Sequence, residues 1–195
     1  MFPEYIAISK DTPVPTPELV RSWWDEYGML DNIRAHSFVV SQVALLVNQW
    51  LAESGLALRE DAVLAGALAH DIAKTQCLNS DRLHSEEGYE ILFKKGYPEL
   101  GYLVRAHVYL PEGHPLDETM VVNYADKRVK HDRIVNLNDR YDYIEKRYGR
   151  GEPERIARIA KGRARAFEVE DLIFKQIGLI HTPSEISNRL EGAAA

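Results

Sequence analysis

Apolar residues recur every three to four positions along most of the chain, and helix start and stop signals bracket each such run. Thr16-Pro17-Glu18 reads as an N-cap, a proline at the first helical position and an acid in the first turn. A helix to about Tyr27 is predicted, ended by Gly28. Asp31 or Asn32 can cap the next, which runs to about Ser54 and stops at Gly55. Its apolar face is Ile33, His36, Val40, Val43, Val47, Trp50 and Leu51, so His36 faces inward. Residues 59–73 predict a mostly buried helix with His70 and Asp71 at its C-terminal end, and Thr75 to Arg82 a polar loop. Further helices are predicted over Ser85–Lys95, from Pro98 through His107, over 117–131 and over Asn138–Tyr148. Pro153 opens a long one with Ile156, Ile159, Ala166, Phe167, Ile173 and Ile177 on one face. No strand and no internal repeat is expected, and the final Gly192 to Ala195 reads as frayed.

With 195 residues the chain suits one domain with a core that needs no covalent staple. A net charge of -6 supplies no global basic field, so a nucleic-acid polymer is not an expected partner. Cys77 is the only cysteine, which excludes an internal disulfide. Met1-Phe2-Pro3-Glu4-Tyr5 lacks the pattern of a secretory signal, and the longest small or apolar stretch, Ala62 to Ala69, cannot span a bilayer. The expectation is a cytoplasmic protein without a membrane partner; a homodimer is left open.

Four of the seven histidines and two aspartates fall inside predicted helices or at their ends, mostly in apolar surroundings. Any one of them reads most simply as a satisfied core histidine or a cap. As an ordered set they point to a metal site, because buried ionisable groups are costly unless paired or metal-bound. Adjacent His70 and Asp71 at a helix end can turn two unlike ligands toward one point. Imidazole and carboxylate suit iron, manganese, nickel, cobalt or zinc; magnesium suits the set least.

The order His36, His70-Asp71, Asp126 resembles the HD superfamily of metal-dependent phosphohydrolases, whose signature is an isolated His, a His-Asp pair and a distant Asp. His70-Asp71-Ile72-Ala73-Lys74 is similar to the superfamily's central motif, with Ala73 in place of the usual glycine. His84-Ser85-Glu86-Glu87-Gly88-Tyr89-Glu90-Ile91-Leu92, Arg105-Ala106-His107 and Ala125-Asp126-Lys127 resemble the blocks that follow it. The resemblance spans about residues 31–131. It implies an all-α, single-domain helical bundle of the HD-domain type. Residues 1–30 would form a lead-in and helix, 31–150 the metal-binding core, and 151–195 a C-terminal helical extension packed on it. It also implies that His36, His70, Asp71 and Asp126 hold a first divalent transition metal ion. His84 and His107, with Asp71 bridging, would hold a second.

The function so implied is hydrolysis of a small phosphorylated molecule, a nucleotide first among candidates, by a metal-activated hydroxide. Asp71 and Lys74 are the catalytic candidates. Lys74, Arg34, Lys127 and Arg128 are the candidates for substrate binding; Lys74 sits where the motif places a lysine. The alternatives are a diiron oxygenase on the same ligand set and a non-catalytic nucleotide sensor. Gly96-Tyr97-Pro98 matches the tripeptide that names the HD-GYP branch, but it precedes His107 and reads as a helix stop followed by a helix start. His114 reads as a loop residue, His181 as a turn before a last short helix, and Trp23-Trp24 as packing.

Overall fold

The computed structural model describes residues 4–178 and 181–191; Gly192 to Ala195, expected to fray, lie outside the described residues. Thr16 caps helix α1 (Pro17–Glu26), its Oγ1 accepting the amide of Leu19, and Gly28 at φ 61 ends the turn that follows. Helix α2 (Asp31–Glu53) buries the expected stripe, including His36, Val40, Val47 and Trp50. Its cap position is Leu30, not Asp31 or Asn32, and no side chain satisfies its first turn.

The buried third helix is shorter than 59–73. Helix α3 covers Glu60–Ala69, and His70 to Ala73 form a tighter turn closed by Ile72 N to Ala69 O and Lys74 N to Asp71 O. These bonds reach three residues back, so the backbone winds more tightly where it carries His70 and Asp71. A short helix, α4 (Lys74–Cys77), occupies the start of the expected polar loop. Helices α5 (His84–Lys94) and α6 (Pro98–Ala106) follow, and Asp117 caps α7 (Glu118–Lys127).

The helix expected through residue 131 ends instead at Lys127. An antiparallel hairpin follows, β1 (Val129–Lys130) with β2 (Arg133–Ile134), pairing Val129 with Ile134 and Lys130 with Arg133. This corrects the expectation of no strand: ladders two residues long carry no readable period. Helices α8 (Leu137–Tyr148), α9 (Pro153–Ile177) and α10 (Glu185–Glu191) complete the order.

Helices α2, α3, α6 and α7 enclose the core, with Val47, Leu68, Leu103 and Val121 fully buried. Two glycines let neighbours approach closely. A Cβ on Gly66 would lie 2.7 Å from the Leu103 methyl groups, and one on Gly88 would lie 2.7 Å from Val104 Cγ1. The long helix α9 packs in two halves. Ile156 and Ile159, half-buried, lie in the half that faces α8, while Val169 and Ile173 are buried in the half that packs on α7 and α2. His181 stacks on Trp50 with ring centroids 4.3 Å apart, and Trp24 packs in the core while its Nε1 donates to Leu68 O at 2.9 Å. No helix among the described residues is long and apolar enough to cross a membrane.

Arg128 joins α9 to the core. Its guanidinium donates to Val135 O at 2.7 Å and to Pro183 O at 3.0 Å, and meets the Tyr124 hydroxyl and Glu170. Removing one member of a buried charged network leaves the others unpaired. Arg128→Ala is therefore expected to cost about 3 kcal/mol of unfolding free energy, measured by chemical denaturation, while bound metal per folded chain stays unchanged.

Candidate metal centre

Six residues far apart in sequence meet where helix ends converge. His36 comes from the first turns of α2. His70 and Asp71 leave the end of α3, His84 opens α5, His107 follows the last residue of α6, and Asp126 lies in the last turn of α7. Three of these helices thus present their C-terminal, electronegative ends, where a cation is favoured.

The tautomers of three histidines follow from backbone contacts. His36 Nδ1–H donates to His131 O and His70 Nδ1–H to Ala67 O, both at 2.7 Å, and His107 Nδ1–H donates to Val104 O. A ring that donates from Nδ1 keeps the Nε2 lone pair for another partner. For His70 and His107 the acceptor lies three residues back, among the last helical carbonyls that have no amide donor of their own.

Those Nε2 atoms face the two aspartates. His36 Nε2 lies 3.0 Å from Asp126 Oδ1, and His70 Nε2 lies 3.3 Å from Asp71 Oδ2. The other Asp71 oxygen, Oδ1, lies 3.3 Å from His84 Nε2 and 3.6 Å from His107 Nε2, and the two imidazole nitrogens are 3.2 Å apart. Asp71 therefore presents one oxygen to His36 and His70 and the other to His84 and His107. Donors bound about 2.1 Å from one ion lie roughly 3.0–3.4 Å apart at right-angle to tetrahedral geometry; four of these contacts fall in that range and the His107–Asp71 contact, at 3.6 Å, lies just outside it. Two trios, His36-His70-Asp126 and His70-Asp71-His107, can each hold an ion. His70 Nε2 and Asp71 Oδ1 are buried without any hydrogen-bond partner. Orphaned buried donors and acceptors are costly, and a cation held by the cluster would remove that cost at both atoms.

Charge is arranged to keep the carboxylates ionised. Burial opposes the charge on Asp71, yet the Lys74 ammonium and His70 hold its carboxyl well below the usual range. Burial likewise opposes the charge on Asp126, and Lys127, His36 and Arg140 outweigh it. Burial pushes His107 down to about 4, so its ring is neutral at pH 7. For His70 and Lys74 burial works downward, but the neighbouring carboxylates Asp71 and Asp126 raise both.

Residues 34–144, more than half of the chain, match the family model described as the HD domain. The chain belongs to the HD-domain family. HD domains bind divalent metals and form a superfamily of the metal-dependent phosphohydrolase type. No curated protein and no solved structure matches the chain.

The structure brings all six metal candidates of this HD domain together, with Lys74 beside them. Lys74 Nζ donates to Asp71 Oδ2 at 2.7 Å. Lys127, a candidate for substrate binding, is buried with its ammonium turned to the cluster: Nζ donates to Asp126 Oδ2 at 2.7 Å and to His107 O at 2.9 Å. Arg34 and Arg128 are not at the centre, which corrects their assignment to substrate. Arg34 ties α1 to α2 through Met29 O, Trp24 O and Asp25, and Arg128 faces α9. Proximity in sequence misleads here because consecutive helical side chains point about 100° apart. His114 lies in a loop as expected, but buried against Tyr5 and Tyr102.

Sequence reasoning missed Arg140 and Tyr143 on α8 and the role of the His131 backbone. Arg140 shares an inward stripe with Leu137, Tyr141 and Ile144, a spacing that could have drawn notice. His131 adopts φ 57, the left-handed region that aims its carbonyl at His36. Asparagine tolerates that region and a β-branched residue does not. His131→Asn is expected to retain metal, while His131→Val lowers metal affinity through a misplaced carbonyl; titration with a metal indicator separates them. Because Asp71 faces both histidine groups, Asp71→Asn should strip metal far more completely than His84→Ala. Equal losses by elemental analysis contradict the shared role.

Proposed function

We propose that this HD domain is a metal-dependent phosphohydrolase acting on a small phosphorylated molecule, with a nucleotide the best fit. The observation that supports it is the opening of the centre onto a cleft with a cationic floor and an aromatic wall. One lobe, about 180 Å³, touches His36, Asp71, Lys74, Arg140, Tyr143 and Tyr148. Another, about 330 Å³, touches His84, His107, Asp126, Lys74, Arg140 and Tyr148. Lys74 and Arg140 offer charge to a phosphoryl group, and the tyrosines offer faces to a base.

His36, His70 and Asp126 would hold one divalent ion and His84 and His107 a second, with Asp71 shared. Bound there, such ions supply Lewis acidity and a strong nucleophile near neutral pH. The chain's own groups do the positioning. The carbonyls of Ala67, Val104 and His131 fix the imidazoles, Lys127 fixes Asp126, and Lys74 neutralises charge beside Asp71.

Protein loaded in turn with manganese, iron, cobalt, nickel and zinc should release phosphate from at least one member of a panel of nucleotides and sugar phosphates. Asp71→Asn should lower that rate by about 100-fold or more, as expected when electrostatic stabilisation of the transition state is lost. No turnover of any member by protein shown to carry metal refutes the proposal.

A further inference from the structure

Among the cations at the centre, Arg140 has its donors unused. Its side chain is 13 % exposed and comes from α8, on the face that buries Leu137 and Tyr141. Its Nε is buried with no hydrogen-bond partner. Its Nη2 lies 3.6 Å from Asp126 Oδ1, too far for a hydrogen bond. That aspartate already accepts a hydrogen bond from Lys127 on Oδ2 at 2.7 Å. Arg34 and Arg128, by contrast, each bond to backbone carbonyls and a carboxylate. Lys74 is also committed, at 2.7 Å from Asp71. A sequestered guanidinium with an unmet donor is costly unless something supplies acceptors.

Both lobes of the cleft touch Arg140, so an anion in the cleft meets its guanidinium. We infer that Arg140 is the principal phosphoryl-binding residue of this protein, gripping two oxygens of the substrate through its planar fork, while Lys74 stays on Asp71. The inference rests on the phosphohydrolase reading for the nature of the anion and goes beyond it in naming the residue. A guanidinium matches two phosphoryl oxygens at once, which an ammonium cannot do.

The support of Arg140 extends to the C-terminal helix. Asn136 caps α8 by accepting the amide of Asp139. From α9, Arg163 donates to Asp142 at 2.8 Å and meets Asn138, and Gly162 lies against the Tyr141 ring. The long helix thus fixes the element that presents the fork, although it contributes none of the six metal candidates.

The test measures inorganic phosphate binding to metal-loaded protein by calorimetry, with metal per chain determined on the same samples. Arg140→Ala should weaken phosphate at least about tenfold, the size expected for loss of a charge-assisted hydrogen bond. Arg140→Lys should recover part of that loss, and metal content should not change. Arg140→Gln carries the comparison if the alanine variant folds poorly. Phosphate affinity within about twofold of wild type, a difference smaller than one hydrogen bond confers, overturns the assignment. So does a fall in metal content that accounts for the loss, which would make the arginine a holder of Asp126. If wild type binds phosphate through Arg140 yet hydrolyses no substrate, the phosphohydrolase reading fails and the binding role stands. If turnover is seen but phosphate affinity ignores Arg140, the reverse holds.

Discussion

The rest of the structure depends on the burial of one carboxylate. Asp71 is 1 % exposed and ionised, and its two oxygens point at different pairs of imidazoles. An ionised carboxylate in such a place is tolerable only when cations and donors surround it. The turn after α3, the start of α5, the end of α6 and the end of α7 are all brought to where they can do that. The close contacts of Gly66 with Leu103 and Gly88 with Val104 serve the same convergence, since they let α3, α5 and α6 pack tightly beside the centre. Core packing and site geometry are in this respect one constraint.

Helix termini supply much of the local electrostatics. A C-terminal helix end leaves carbonyl groups without amide partners. In α3 and α6 the histidine just past the end donates its Nδ1 proton to such a carbonyl. One bond then satisfies the backbone, selects the tautomer and turns the remaining nitrogen toward the centre. His36, placed in the first turns of α2 rather than at a C-terminal end, has no such carbonyl within its own helix to use. The hairpin β1–β2 provides one through His131, which explains why a strained backbone residue sits beside an otherwise helical site.

The helical class was legible from the apolar period, and the six clustered side chains through the resemblance of their order to the HD superfamily, which pattern breaks supported. Imidazoles and carboxylates at inward positions of helices break the apolar pattern, and breaks of that kind are visible without coordinates. His36 between Ile33 and Val40 is the clearest instance. The hairpin was not legible, because a two-residue ladder leaves no periodic trace. The ends of α3 and α7 were read too long for the same reason: His70 to Ala73 and Arg128 to His131 keep helix-compatible residues while the backbone turns away. The basic residues after Asp126 were overvalued by adjacency. Lys127 turns to the ligands and Arg128 to α9, as the helical rotation between neighbours requires.

Arg140 shows what adjacency cannot reveal. It lies 14 positions beyond Asp126, past a hairpin, on a helix whose outer face is strongly charged. Its placement depends on α8 being pressed against the centre, and α8 in turn packs along α9. A helix that supplies none of the six clustered side chains thereby governs the position of a charge at the cleft. Helix α9 also packs on α7 and α2, which carry Asp126 and His36, so the C-terminal packing reaches both the arginine and part of the cluster. The position of Arg140 thus rests on the packing of α8 along α9, and the cluster itself on the convergence of α2, α3, α5, α6 and α7 around Asp71.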